Sequence, residues 1–242
     1  PFHVPVMPGD MQIIDEILSK AIRFGADMAG SVTAGLLEGC PSARAAGPAG
    51  FQTFTGTIIV LGLHHDPKKP EMDWWEESRA TPGDRILQNI GREIGGWLKS
   101  EHNIDSSVIP YQIYDGGTYL KDAAVLAGLG RIGRNNLVIT PGFGPRVRFR
   151  ALWVDIETDP SHCPAFADPC VSCNHPCESE CPQDALESGV YSRDRCMARM
   201  ERDRNAPVRV EGTDSKEEVI DHCRTCELAC PAGRRYPDSH IR

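Results

Sequence analysis

Eight of the ten cysteines in this 242-residue chain fall behind residue 169, in spacings that invite metal chemistry. The first group reads Cys170-Val-Ser-Cys173-Asn-His-Pro-Cys177-Glu-Ser-Glu-Cys181-Pro182. The second reads Cys223-Arg-Thr-Cys226-Glu-Leu-Ala-Cys230-Pro231, and Cys196 stands alone between the two. Both groups close on Cys-x3-Cys-Pro, the end of the bacterial two-cluster run in which the last cysteine ligates the other cluster. That crossover assigns Cys170, Cys173, Cys177 and Cys230 to one 4Fe–4S cluster, and Cys196, Cys223, Cys226 and Cys181 to a second.

Rival readings fit less well. A disulfide framework suits short secreted chains, whereas this one is long enough for a real core and shows no secretory signal. Structural zinc takes two separated Cys-x2-Cys pairs rather than a run of four closed by Cys-Pro. One departure stands out: Asn174-His175-Pro176 puts three residues where the usual run has two. The extra residue is either absorbed as a bulge or leaves the first cluster incomplete. Cys40 and Cys163 have no partner in this scheme and read as small buried or loop residues.

Charge and hydropathy restrict the partners. Lys plus Arg number 26 against 34 Asp plus Glu, a net charge of −8. An acidic chain without a basic block is poorly suited to nucleic acid, where phosphate contacts dominate affinity. The longest apolar run, Thr57-Ile-Ile-Val-Leu-Gly-Leu63, is far below the ~20 residues that cross a bilayer. No twin-arginine or other export segment opens the chain, so the cytoplasm is the expected location.

The elements that must carry these residues divide near residue 158: an α/β or α+β region over 1–158 and a cysteine-rich one over 159–242. Met11 to Phe24 has apolar residues at helical spacing with Asp10 as N-cap. Thr57–Leu63 reads as a buried strand. Asp84 to Glu101 is helical but interrupted by Gly95-Gly96. Ser107 to Tyr111 is a short strand, Tyr119 to Leu126 a helix, Asn136 to Thr140 a strand, and Val147 to Ile156 alternates as a strand does. Arg193 to Arg204 is the clearest helix of the second region.

Gly128-Leu-Gly130-Arg-Ile-Gly133 matches the dinucleotide fingerprint letter for letter. That pattern binds pyrophosphate only between a preceding strand and a following helix. Here a helix-like segment precedes and a strand follows, which argues against a nicotinamide cofactor. The glycines either let backbone approach something bulky or let a helix turn tightly into a strand.

The stretch from Lys121 to Arg148, containing Ala127-Gly-Leu-Gly130 and Ile139-Thr-Pro-Gly-Phe-Gly-Pro-Arg-Val-Arg148, followed by Val154-Asp155 and the two cysteine groups, resembles epoxyqueuosine reductases and reductive dehalogenases. The resemblance covers about residues 115–235. It implies an α/β corrinoid-binding domain of nitroreductase-like type, followed by a small ferredoxin-like domain with two 4Fe–4S clusters. The chain is shorter than either family and lacks both the C-terminal helical repeats that help hold tRNA and the export signal of respiratory dehalogenases, though a removed leader would hide the latter. A tRNA substrate is therefore not expected.

The implied activity is that of an oxidoreductase: clusters pass single electrons to a bound cobalamin, which reduces a small substrate while protein groups position it and supply protons. The expected donor is a low-potential protein of ferredoxin or flavodoxin type, and a homodimer is left open. The corrinoid would lie against Gly128, Gly130, Gly133, Gly142 and Gly144, with Thr140 in the same wall. Arg131 and Arg134 would meet anionic groups of cofactor or substrate, or else face solvent. Asp115, Tyr114 and Tyr119 are the proton-donor candidates, with Tyr111 a further tyrosine. Asp115 reads equally as a turn residue before Gly116-Gly117, and each tyrosine as a strand or core aromatic. The rival function is an electron-transfer or corrinoid-reactivating iron–sulfur protein with no substrate of its own.

Overall fold

The structure, a computed structural model, describes residues 8–52, 55–76, 79–158, 166–210 and 218–233. In chain order its regular elements begin with α1 (Pro8–Arg23), β1 (Met28–Thr33), α2 (Pro41–Ala46), β2 (Thr57–His64), β3 (Trp75–Glu76) and α3 (Pro82–Trp97). There follow β4 (Ser106–Ile109), α4 (Leu120–Leu126), β5 (Arg131–Ile132), β6 (Val138–Ile139) and β7 (Val147–Val154). The cysteine-rich part contributes α5 (Pro176–Ser179), α6 (Arg193–Arg204), β8 (Val208–Arg209), β9 (Glu218–Ile220) and α7 (Thr225–Ala229). No helix among the described residues is long and apolar enough to cross a membrane.

Two compact units emerge. The first joins the chain up to Leu63 with Ile86–Gly130 and Arg148–Phe166; the second joins His64–Arg85, Arg131–Val147 and Ala167–Arg242. Segments 64–85 and 131–147 thus group with the cysteine-rich region.

The first unit is built on a four-stranded sheet of order β1-β2-β7-β4. β2 is buried from Thr57 to Leu63, as its unbroken apolar run requires. β1 pairs with it antiparallel from Met28↔Gly62 to Thr33↔Thr57, and β4 pairs antiparallel with β7 from Ser106↔Val154 to Ile109↔Ala151. Ile14, Ile17 and Ala21 of α1 join Ile58, Leu61, Leu87, Ile94, Leu98 and Leu152 in the core. Gly30 of β1 lets the end of α4 come close, since a Cβ there would lie 2.6 Å from the Ala127 carbonyl oxygen.

Several sequence expectations change. α1 starts at Pro8, a residue suited to a first turn, so Asp10 sits inside that turn rather than capping it. Gly95-Gly96 does not interrupt α3, which continues as a turn of π-helix over Leu98–His102. Gly95 instead gives room to β4, where an added Cβ would stand 2.8 Å from Ser106 Oγ. β7 is buried at six of its eight positions because it runs between two other strands. The strand expected over Asn136 to Thr140 is reduced to Val138–Ile139, hairpinned onto β5. α4 is followed by this hairpin and not by a helix, the order that the glycine fingerprint's context already implied.

In the second unit the β5-β6 hairpin is accompanied by a small sheet of order β3-β9-β8. α5 packs against α7, which brings the two cysteine groups together. α6 follows its expected bounds, with Ser192 Oγ accepting from the Arg195 N–H as N-cap. Cys163 lies outside the described residues.

Candidate metal centres

The three-residue gap before Cys177 is absorbed at His175, which takes a left-handed conformation (φ 53°, ψ 51°). His tolerates that region better than most residues, and Pro176 then opens α5 with Cys177 in its first turn. The His175 N–H donates to Cys173 Sγ at 3.4 Å, and its Nε2 lies 2.9 Å from the Cys170 carbonyl oxygen. His175 thereby links two candidate ligands, one through its backbone and one through its ring. Burial, followed by the fields of Cys230, Glu178, Cys170 and Cys173, pushes the buried Cys177 thiol up to about 11. Burial also raises Cys230, with Cys170 and Cys173 adding to it. The four thiols of the first set therefore lie within reach of one another's fields, with Cys177 and Cys230 desolvated.

Cys230 reaches that neighbourhood on a loop fixed from behind. Arg146, buried, donates from Nη1 to the Cys230 carbonyl at 3.3 Å and from Nη2 to the Ala232 carbonyl. Gly144 (φ 59°) and Gly233 (φ 73°) meet back to back; a Cβ on Gly144 would lie 2.6 Å from the Ala232 carbonyl carbon.

The second set gathers in the same manner. Burial pushes the Cys226 thiol up to about 12, with Cys223, Cys196, Glu227 and Cys181 contributing in that order. Asp203 of α6 accepts from the Cys223 N–H at 2.8 Å and pairs with Arg199 Nε at 2.7 Å, tying the Cys223 loop to the helix that carries Cys196. The Ala185 N–H donates to Cys181 Sγ at 3.3 Å. Tyr191 is raised above its ordinary value by burial and by its hydrogen bond to Cys196. Raised thiols are desolvated sulfurs whose charge a bound cation would stabilise. Among the described residues no three His, Cys, Asp or Glu side chains converge on a point fit for a single ion.

The other expected site residues have protein partners or face outward. Arg131 pairs with Asp168 at 2.9 Å and Arg134 with Glu178 at 2.5 Å, so both guanidiniums brace the first cysteine loop. Asp168 in turn accepts from the Cys170 N–H at 2.9 Å. Thr140 is buried; its Oγ1 donates to the Gly144 carbonyl at 3.0 Å and accepts from the Phe143 N–H at 3.2 Å. Gly133 faces Ile139, whose Cγ1 would be 2.7 Å from an added Cβ. Gly128 turns the chain out of α4 at φ 73°, while Gly130 is buried and Gly142 half-buried.

Tyr114 is 83% exposed, and Asp115 is exposed in a 3₁₀ turn closed by Gly116. Tyr119 donates its hydroxyl to the Gly47 carbonyl at 2.8 Å. Tyr111 lies under the Arg150 guanidinium at 4.2 Å. The first unit also contains a cavity of about 200 Å³, lined by Leu37, Glu38, Phe51, Gln52, Ile58 and Thr118 among others. Cys40 is buried ahead of α2, raised by burial and by nearby Asp122, in keeping with an inert thiol. Sequence reasoning missed His65, Asp73, Asp203 and Arg224. The only signal for any of them was a charged residue between Cys223 and Cys226.

No protein-family model matches the chain. A tetrachloroethene reductive dehalogenase of Desulfitobacterium hafniense is 42% identical over 146 residues, 57% of this chain and 24% of that protein. An epoxyqueuosine reductase of Listeria monocytogenes is 32% identical over 130 residues, 50% of this chain and 32% of that protein. The chain thus spans about a quarter to a third of the length of these relatives. Among solved structures, an epoxyqueuosine reductase from Streptococcus thermophilus superposes with a TM-score of 0.63 at 22% identity, covering 96% of this chain and 69% of that one. A reductive dehalogenase associated with B12-dependent dehalogenation gives 0.62 at 16% identity, over 92% and 32%. The mixed α/β fold with its cysteine-rich C-terminal part and the sequence identities agree: the chain is a homologue of the epoxyqueuosine reductases and reductive dehalogenases.

Proposed function

We propose that the chain is the electron-delivering core of a corrinoid-dependent reductase, holding two 4Fe–4S clusters and serving the reduction of a small substrate. The observation that carries this reading is the partition of eight cysteines into two mutually interacting sets, each drawing one member from the other motif. Free thiols and N–H···S bonds from His175 and Ala185 suit cluster ligation, because such bonds stabilise thiolate sulfur. Cys170, Cys173, Cys177 and Cys230 would hold one cluster; Cys196, Cys223, Cys226 and Cys181 the other. Bound clusters supply one-electron transfer. The chain's residues fix the ligand loops, through Arg146 and Asp203, and exclude water from Cys177.

The corrinoid, and with it a nitroreductase-like domain and a substrate, comes to this chain from its homologues. Gly133 and Gly144 face their own chain's atoms rather than an open cradle, and the 200 Å³ cavity is much smaller than a corrin ring. That cavity matches a small, mainly apolar molecule. A second reading, electron transfer without a substrate, is favoured by the proton-donor candidates: Asp115 and Tyr114 face outward and the Tyr119 hydroxyl is committed to Gly47. Anaerobic reconstitution followed by titration with a cobalamin separates the readings. About eight irons per chain together with saturable cobalamin binding is expected of the reductase. Full iron with no cobalamin binding would leave electron transfer as the function, and zinc in place of iron would overturn both.

A further inference from the structure

Beside the second cysteine set lies a buried charge network that cluster ligation does not require. Arg224 stands between Cys223 and Cys226, with its side chain 10% exposed. Its Nη1 pairs with Asp73 Oδ2, and its Nη2 meets Glu227 Oε1 at 2.5 Å, Glu227 being the residue after Cys226. Both carboxylates are buried. Asp73 has a further partner, since its Oδ1 lies 2.7 Å from Nδ1 of the fully buried His65. His65 is itself held in place: a Cβ on Gly83 would overlap its ring.

Buried ion pairs seldom stabilise a fold more than apolar residues of the same volume would. A fixed charge in a dry region does exert a strong field, and the potential of an iron–sulfur cluster follows the net charge around it. We infer that Arg224 is a positioning residue for the second cluster: clamped between Asp73 and Glu227, its guanidinium fixes the Cys223–Cys226 turn and sets that cluster's reduction potential. The inference rests on the proposal that Cys181, Cys196, Cys223 and Cys226 hold a cluster. Reduction adds a negative charge, so a nearby cation favours the reduced form and a nearby carboxylate opposes it.

Opposite shifts from opposite charges distinguish this role from structural damage. The holoprotein and its Arg224→Gln, Arg224→Lys and Asp73→Asn variants would be titrated anaerobically while paramagnetic resonance follows each cluster. Arg224→Gln is expected to lower the reduced-to-oxidised ratio of the second cluster at least tenfold at fixed potential, which is 59 mV for a one-electron couple. Asp73→Asn is expected to raise it, Arg224→Lys to stay near wild type, and the first cluster to remain unmoved in all three. Shifts of the same sign in Arg224→Gln and Asp73→Asn, or none with the signal intact, would overturn the inference. So would a shift in Arg224→Lys as large as in Arg224→Gln. Should Arg224→Gln fail to assemble the cluster, the Asp73→Asn and Arg224→Lys titrations still decide. A wild-type protein with no second-cluster signal removes the cluster reading, and the inference with it, before any variant is compared.

Discussion

Gly144→Ala tests whether the segment around Thr140–Arg146 supports the first cluster. Gly144 sits at φ 59°, where an L-residue costs about 1–2 kcal/mol. Its added methyl would lie 2.6 Å from the Ala232 carbonyl carbon and closer still to the oxygen. Ordinary carbon contacts begin near ~3.5 Å, so the two backbones must separate by roughly 1 Å. No side-chain rotation can relieve the overlap. Overpacking of this kind costs about 1–3 kcal/mol, for a total of about 2–5 kcal/mol. The strain falls on the Cys230–Gly233 loop, which Arg146 holds from the same side. The expected result is loss of the first cluster with retention of the second, so that iron falls from about eight to about four per chain. Iron analysis and the resonance spectrum of reduced protein read this directly. Gly96→Ala is the control, because nothing lies within 4 Å of its added Cβ. A Gly144→Ala protein with full iron would refute the reasoning, and loss of the second cluster instead would refute the assignment of Cys230.

Other outcomes follow from the same geometry. Cys181→Ser should abolish the cluster of Cys196, Cys223 and Cys226 and spare the other, as seen by paramagnetic resonance. Asp203→Ala removes the carboxylate that the part-buried Cys223 N–H donates to at 2.8 Å; loss of such a bond costs about 0.5–1.5 kcal/mol, and second-cluster iron should be lost faster to a chelator. Gly30→Ala should lower the thermal midpoint of the first unit, since its Cβ would stand 2.6 Å from the Ala127 oxygen, while leaving the iron count unchanged.

The parts of the fold that sequence disclosed are those whose signal is local. β2 announced itself because its buried positions from Ile58 to Leu63 carry no polar side chain, and the cysteine groups because ligand spacing is confined to a few residues. Gly95 was misleading for the opposite reason. Its role is fixed by Ser106 on a strand beyond the helix end, and a contact of that kind leaves no periodic trace. β3, β8 and β9 contain only two or three residues each, too few for alternation to register. For Arg131 and Arg134 the sequence leaves anion-facing and solvent-facing roles open, because a guanidinium advertises only its charge. Their carboxylate partners, Asp168 and Glu178, are decided by how the cysteine loop returns to the β5-β6 hairpin. The clamp on Arg224 was invisible likewise, since Asp73 arrives from a distant stretch of chain.

The division of the chain into two discontinuous units dictates an order of events during synthesis. Every piece of the first unit has been made once Phe166 has left the ribosome. The second unit's early pieces, His64–Arg85 and Arg131–Val147, must by then wait without the partner residues of Ala167–Arg242. At about 5–20 residues per second of elongation, that interval lasts seconds, with Trp75 and the β5-β6 hairpin lacking their final neighbours. Clusters held as proposed would be completed only once Cys226 and Cys230 have emerged, behind every piece of the first unit. A starved or oxidised cell would accumulate chains with a finished first unit and an open second one, and these would be the species exposed to proteolysis.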